Sequence, residues 1–497
     1  MIRRLAVVAA FAAALGILSV LAAEPRVPDP PEPVPFGAID RSPEGSNWFC
    51  AAASANTSDA STHQILISNS SQSPFKAVLT GFRQASNATT VLAVDVPMLS
   101  MLAVDAADIA PDVGGVAVEV LAAGGSVAHR LTSDDALDQS LCATDAAAEW
   151  FFPAADTQRG RSARLWLLNP FAVDASVDVS VSTVDSVRVP KELTGVIVPA
   201  GSSRMVELGD TVQRRDQFAF TVTARAGLLV AELAQAADGT ETEGSVRARG
   251  IRLDPGRPAT HRSWVFGDGF GGEGVSDRIV VYNPTKADST IQVAVFPAQS
   301  APEELPEPFE LTIPSRRFAA IVLDQETRIP PGGLRWARVD VQDGGAVVVG
   351  HLQGLFAEGG NGSPDLRPVG DAGIASSTGS PWVATRWVVP AAAPPAEGQS
   401  LLVITNPDPE TIAVTSVAAL VDGKEIEVLA GQEVAAGSTL VVDLAGVEST
   451  SAFSAIVNST SPVLVESRSS SKERDDFTML SGVPDAAAIG PIVALGG

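Results

Sequence analysis

Strict alternation of apolar and polar residues marks several stretches of the chain. In SVDVSVSTV (176–184), TIQVAVFP (290–297) and TIAVTSVAAL (411–420), Val and Ile alternate with Ser, Thr, Gln or Asp. A period of two puts the apolar side chains on one face of a strand and the polar ones on the other, which predicts half-buried antiparallel sheets. Ahead of each stands a shorter apolar run that halts on asparagine: LWLLNP (165–170), VVYNP (280–284), VITNP (403–407) and, in a variant form, LISNS (66–70). Proline lacks the N–H a ladder needs and turns the residue before it away from helix, so Asn-Pro ends a strand and opens a turn. The asparagine side chain bonds the backbone that follows it.

These pieces recur in a fixed order. Trp-led strands open at NWFCAAA (Trp48), EWFFPAA (Trp150), SWVFGDG (Trp264) and RWVVPAA (Trp387). After each come the strand stopped at Asn69, Asn169, Asn283 or Asn406 (followed by Pro170, Pro284 and Pro407 in the last three) and a second alternating strand. A turn-plus-strand such as VPAGSSRMVELGD (198–210) and a closing hairpin such as FAFTVTARAGLLVAEL (218–233) complete the unit. Six to eight short strands per unit, with turn residues between them, predict an all-β chain of four tandem immunoglobulin-like β-sandwich repeats. The alternative is a β-propeller with two blades per unit. The expected boundaries are a signal peptide or N-terminal membrane anchor at 1–23, a Pro-rich linker at 24–43, repeats at 44–146, 147–258, 259–382 and 383–485, and a tail at 486–497. Polar, Gly-rich stretches at 238–250 and 356–380 read as linkers or long surface loops, joining the repeats like beads.

Composition and charge narrow the function. The 497 residues carry 58 acidic against 34 basic side chains, a net charge of -24, so the surface field repels phosphate backbones and nucleic acid is excluded as a partner. Arg3 and Arg4 precede an uncharged apolar run from Leu5 to Ala23, the pattern of an export signal, cleaved or retained as an anchor. Export makes the two cysteines, Cys50 and Cys142, a candidate disulfide, and no His or Cys stands beside them at metal-ligand spacing.

Catalytic motifs are absent from the sequence: there is no Gly-x-Ser-x-Gly, no His-Glu-x-x-His and no phosphate-binding loop, and the chain has four histidines. No catalytic residue, metal ligand or cofactor is assigned. His129, Glu232, His351 and Glu466 hold matching places in the four closing strands; they read as the wet face of a strand, and as an acid-base or metal cluster if the repeats form a ring. Asp268, Glu273 and Asp277, among the glycines of FGDGFGGEGVSD (266–277), read as a surface loop, with Ca²⁺ ligation the alternative. Trp166, Trp336 and Trp382 are candidate platforms for a sugar ring.

The Trp-led opener, the strand ending in Asn-Pro, the VPAGSSRMVEL turn-strand and the closing hairpin, four times over, resemble an actinobacterial family of exported proteins known only as a domain of unknown function. The resemblance spans about residues 44–485, with Ser70 departing from the proline of the other copies. It implies a cell-envelope location and neither a reaction nor catalytic residues. The function expected is that of an exported structural or interaction protein whose partner is an unknown envelope protein or glycan. A carbohydrate- or peptidoglycan-binding module is the alternative, and an envelope hydrolase with a shared central site the second.

Overall fold

Val, Ile and Thr, which fit a pleated surface, supply the body of the protein, and the described residues are 65% strand and 4% helix. The computed structural model describes residues 38–39, 45–53, 62–133, 136–240, 248–298, 300, 304–356, 373–390, 398–449, 452–471, 476–490 and 492–493. The expected signal or anchor at 1–23 lies outside the described residues, as does all of the Pro-rich linker except Ala38 and Ile39.

The first quarter contains β1 (Ser46–Cys50), β2 (Thr62–Asn69), β3 (Phe75–Arg83), β4 (Ser86–Val96), β5 (Ser100–Asp105), β6 (Val113–Val120), β7 (Gly125–Thr132) and β8 (Leu137–Leu141). They form two sheets, ordered β1-β6-β3-β4 and β5-β2-β7-β8. The second quarter contains β9 (Glu149–Ala155), β10 (Arg161–Asn169), β11 (Ala175–Ser182), β12 (Val187–Arg188), β13 (Val196–Val198), β14 (Ser202–Glu207), β15 (Phe218–Ala226), β16 (Val230–Asp238) and β17 (Arg249–Pro255). Its sheets are β12-β11-β15-β9, with β13 also on β11, and β14-β10-β16-β17.

In the third quarter lie β18 (Ser263–Gly271), β19 (Val275–Asn283), β20 (Ser289–Pro297), β21 (Phe309–Ile313), β22 (Arg317–Val322), β23 (Gly333–Gly344), β24 (Val348–Leu355) and β25 (Gly373–Ser377). They pair as β18-β23-β20-β21 and β22-β19-β24-β25. The fourth has β26 (Val383–Val389), β27 (Gly398–Thr405), β28 (Ala413–Val421), β29 (Lys424–Val434), β30 (Thr439–Asp443), β31 (Ser454–Ser471), β32 (Asp476–Ser481), β33 (Val483–Pro484) and β34 (Ile489–Gly490). Here the long β31 serves both sheets, pairing β26 and β28 with its first half and β27 and β32 with its second. With β12 and β13, which share one edge of β11, counted as a single fourth strand, and the two halves of β31 as the sixth and seventh, one strand order occurs four times: first, sixth, third and fourth strands in one sheet, fifth, second, seventh and eighth in the other.

Within a quarter the two sheets share a core. Trp48 of β1 and Val116 and Val118 of β6 pack in one cluster with Ile65 and Ile67 of β2 and Val127 of β7. All four opening indoles are buried, at 0–2% exposure. Trp150, Trp264 and Trp387 donate through Nε1 to the carbonyls of Leu229, Val347 and Val463, at 2.8, 3.1 and 2.9 Å, each just before or within the seventh strand. Trp48 differs, donating to Ser46 Oγ at 3.0 Å.

The Asn device is a buried clip. Asn169 Nδ2 donates to Val173 O (2.8 Å) and Val198 O (3.0 Å), while its Oδ1 accepts from Phe171 N (3.0 Å). Asn283 repeats this with Ala287 O, Ile313 O and Thr285 N, and Asn406 with Thr411 O, Val434 O and Asp408 N. Asn69 does the same with Ser73 O, Val96 O and Ser71 N although Ser70 replaces proline. One amide thus ties the turn after the second strand to the residue that leads into the fifth. Asn169 is 0% exposed. Asn169→Ala removes the donor to the buried Val198 O along with the bonds to the more exposed Val173 O and Phe171 N, and is expected to cost about 2–4 kcal/mol. Urea unfolding followed by tryptophan fluorescence measures it, and a cost below 1 kcal/mol would refute the clip.

The quarters are not beads on linkers: Phe36–Gly497 forms one compact unit. The eighth strands β8, β17, β25 and β32 neighbour one another in a closed cycle. Leu253 N donates to Asp138 Oδ2 (2.6 Å), Ser376 Oγ to Leu253 O (3.3 Å) and Gln139 Nε2 to Thr478 Oγ1 (3.4 Å), and the Thr378 and Ser481 hydroxyls meet at 3.2 Å. The supposed linkers 238–250 and 356–380 contain the start of β17 and all of β25, so each leads into an inner strand. At the closing junction Ile39 N donates to Pro484 O and Ile39 O accepts from Ala486 N. The expected tail is also partly structured, since β34 pairs with β26 and Arg338 Nη1 donates to Val493 O.

Candidate functional site

The matching His and Glu of the seventh strands do not face water. Exposure is 0% at His129, 3% at Glu232, 1% at His351 and 1% at Glu466. A period-two pattern names the face; what covers it here is the next quarter. Glu232 Oε2 accepts from Ala51 N (3.1 Å) and Ala52 N (2.8 Å) of the first quarter, and its Oε1 lies 2.8 Å from His129 Nε2. His129 Nδ1 in turn lies 3.1 Å from His63 Nε2. Burial, with the neighbouring His129, holds His63 well below the usual imidazole range, and the Glu232 carboxylate is the acceptor at the end of this buried row. Glu466 repeats the arrangement between the fourth and third quarters, accepting from Gly267 N (2.6 Å) and Asp268 N (2.8 Å) through Oε2 and from the hydroxyls of Ser377 and Ser481 through Oε1.

The alternation of Glu and His has a covalent cause. Glu232 and Glu466 reach the residue three places after the neighbour's opening Trp, which is Ala51 or Gly267 and carries an N–H. In the second quarter that residue is Pro153, which has none; it lies so close to β24 that a methyl at Gly350 would sit 2.8 Å from its Cγ. The strand there carries His351, whose Nε2 turns 2.6 Å to Asp277 Oδ1. Asp277 Oδ2 accepts from Arg335 Nε at 2.7 Å. His129 and Glu232 therefore share the junction of the first and second quarters, Glu466 staples the fourth quarter to the third, and His351 bonds within its own quarter while the nearby Glu466 helps to raise its pKa.

Burial works against ionisation throughout. It pushes Asp268 and Glu466 up, opposed by Arg468 at Asp268 and by the Ser377 hydroxyl at Glu466. Burial would also raise Asp277, but His351 and Arg335 outweigh it and hold that carboxyl low; burial would lower His351, but Asp277 raises it. A raised histidine stabilises the fold fully below its unfolded value, about 6.5, and the contribution fades as pH climbs through the folded value. His351→Gln should thus cost most stability at mildly acidic pH and progressively less in alkali. Urea midpoints of wild type and variant across pH check this; a penalty that grows with pH would contradict it.

Asp268 and Asp277 are no Ca²⁺ loop: both are 0% exposed within β18 and β19, engaged by Arg468 and by Arg335 with His351 respectively, while Glu273 is exposed. Trp166 and Trp336 are not exposed platforms either, at 1% each; the Trp336 ring stacks on Phe296 at 3.8 Å and its Nε1 reaches Gly437 O. Trp382 is half-buried and lines a cavity of about 110 Å³ around the C-terminal ends of the four inner strands. His261 stands edge-on to both Trp264 and Trp382, its centroid 5.3 Å from each, and burial lowers its pKa. Gln139, Thr378, Ser481 and Arg257 add polar groups to the same cavity. It has room for one small ring or a few waters. Beside it, Cys142 is bonded to Cys50.

Residues 136–248 match a family of unknown function, DUF5719. The DUF5719 stretch starts at inner strand β8 and stops just short of β17, so it takes one quarter's inner strand together with nearly all of the next. Trp150, Asn169, Pro170 and Glu232 all lie inside it. No curated protein matches the chain. Among solved structures, a crystal structure of Thermotoga maritima 1070 is 16% identical, covering 24% of this chain and 94% of its own, with a TM-score of 0.19; a likeness of that size carries no functional argument.

Proposed function

We propose that this chain is an exported, cell-envelope-associated scaffold. In this reading four immunoglobulin-like β-sandwich repeats close into a rigid ring that serves a structural or interaction role toward an envelope protein or glycan. The observation that carries it is the use of Glu232 and Glu466 as buried cross-junction staples, which spends the conspicuous ionisable residues on holding repeats together. The Cys50–Cys142 bridge supports an oxidising compartment, and the apolar run behind Arg3 and Arg4 supports export. Fractionation of the host with surface biotinylation tests the reading. The chain is expected in the envelope fraction, with Cys50 and Cys142 oxidised in non-reducing mass spectrometry; a cytoplasmic chain with free thiols would end the proposal.

A glycan-binding role is the second reading, favoured by Trp382 beside hydroxyl and amide groups in the axial cavity. Trp382→Ala should then abolish retention on envelope glycan while leaving the unfolding midpoint within error. Equal retention of variant and wild type removes this reading.

A further inference from the structure

A second cavity, of about 150 Å³, lies between the second and third quarters near the N-terminal ends of β17 and β25. Its walls differ from those of the axial cavity, being built from arginine and glutamine. Arg252 and Gln353 are 8% and 3% exposed. Among the described residues, Nε of Arg252, Nε of Arg278, Nε2 of Gln217 and both amide atoms of Gln353 are buried without a hydrogen-bond partner. Four donor groups thus line one polar space with nothing to receive them. A native interior rarely leaves such groups unpaired, so unpaired donors around a cavity point to an occupant.

The charge balance indicates its sign. Three guanidinium groups (Arg161, Arg252, Arg278) line the cavity against two carboxylates. Asp216 is exposed, and Asp156 is held by Arg161 Nε at 3.5 Å and by Gln158 N at 2.8 Å. Gln235 fixes Arg252: its Oε1 accepts from Arg252 Nη2 and its Nε2 donates to Asp156 O at 3.0 Å. One end of the Arg252 fork is anchored in this way while Nε is left over. In a chain of net charge -24, an arginine-rich cavity is a local inversion of the protein's field.

We infer that this cavity is a binding site for a small oxyanion, phosphate, sulfate or carboxylate, received by Arg252, Arg278, Gln217 and Gln353 at the junction of the second and third quarters. Such a ligand supplies the acceptors the donors lack, and guanidinium groups suit it because their charge-assisted bonds to oxyanions are the strong ones. Bound there, it stabilises the junction by mass action.

The test is thermal unfolding of the purified full chain, titrated with sodium phosphate, sodium sulfate or sodium acetate against sodium chloride of equal ionic strength. A saturable rise in Tm beyond the chloride control is expected for wild type. Response to phosphate and sulfate would assign a tetrahedral anion, and response to acetate alone a carboxylate. Arg278→Met should weaken the response at least tenfold without lowering the Tm measured in chloride, because no side-chain hydrogen bond or ion pair of Arg278 is present among the described residues. Gln353→Leu serves as a second variant should Arg278→Met fail to fold. Arg204→Met, on the surface and away from the cavity, should respond as wild type does. A wild-type Tm indistinguishable from the chloride control, or an undiminished response in both cavity variants, overturns the inference.

Discussion

Replacing Glu232 with alanine is expected to lower the unfolding free energy by about 3–5 kcal/mol, the range for removing one partner from a buried, hydrogen-bonded charged group. The loss comes from three donors that a single carboxylate satisfies: Ala51 N, Ala52 N and His129 Nε2. None can turn to water, since Ala51, Ala52 and His129 are all 0% exposed, and the desolvation already imposed on each stays uncompensated. Glu232→Gln keeps one oxygen as an acceptor and should cost clearly less. Urea unfolding of both variants, monitored by tryptophan fluorescence, gives the comparison. A surface variant such as Glu119→Ala should stay within about 0.5 kcal/mol of wild type. If alanine at 232 behaves like alanine at 119, the staple has no energetic content.

The other large effect is expected from the disulfide. Cys50 ends β1 and Cys142 follows β8, 92 residues apart, so the bridge ties the opening strand of the first quarter to its inner strand. Closing a loop of that length removes denatured-state entropy equivalent to about 4–5 kcal/mol in the chain-entropy account. The double variant Cys50→Ala/Cys142→Ala is accordingly expected to unfold at distinctly lower urea than the oxidised wild type. Its losses should concentrate in the cluster that joins Trp48 and Val118 to Val388, Leu420 and Ile456 of the fourth quarter. Hydrogen exchange read peptide by peptide locates them. A double variant as stable as wild type, or one loosened uniformly, would remove the bridge from any role in holding that cluster.

Most of what the site contains escaped the linear pattern for a specific reason. Inner strand β25 (GIASS) and the first two residues of β17 (RGIRLDP) lie in stretches that read as linkers. Gly and Ser in β25 and charged residues in β17 suppress the alternating signal, because these strands are edges that meet other strands through side chains as well as a ladder. His129, Glu232, His351 and Glu466 were visible as matching positions, yet a period of two distinguishes two faces and is silent about whether the second meets solvent or another quarter. Pro153 did carry a usable signal: a proline three places after the opening Trp removes the N–H that a neighbouring glutamate needs. The donors of the oxyanion cavity had no signal of that kind, since Arg252, Arg278 and Gln353 are distant in sequence and unremarkable singly.

By itself the sequence determined what short-range chemistry decides. Alternation set the strands, Asn169 and its three counterparts set the turns through bonds to backbone a few residues away and to the lead-in of the fifth strand, and four indoles marked four cores. Tertiary structure alone decided that the quarters close on one another, that the polar faces of the seventh strands become dry junctions, and that two cavities form where chains far apart in sequence meet. The physical reason is range. Backbone geometry and side-chain period act over a handful of residues and are written locally, whereas burial of a charge or the emptiness of a cavity depends on which distant surface arrives to cover it.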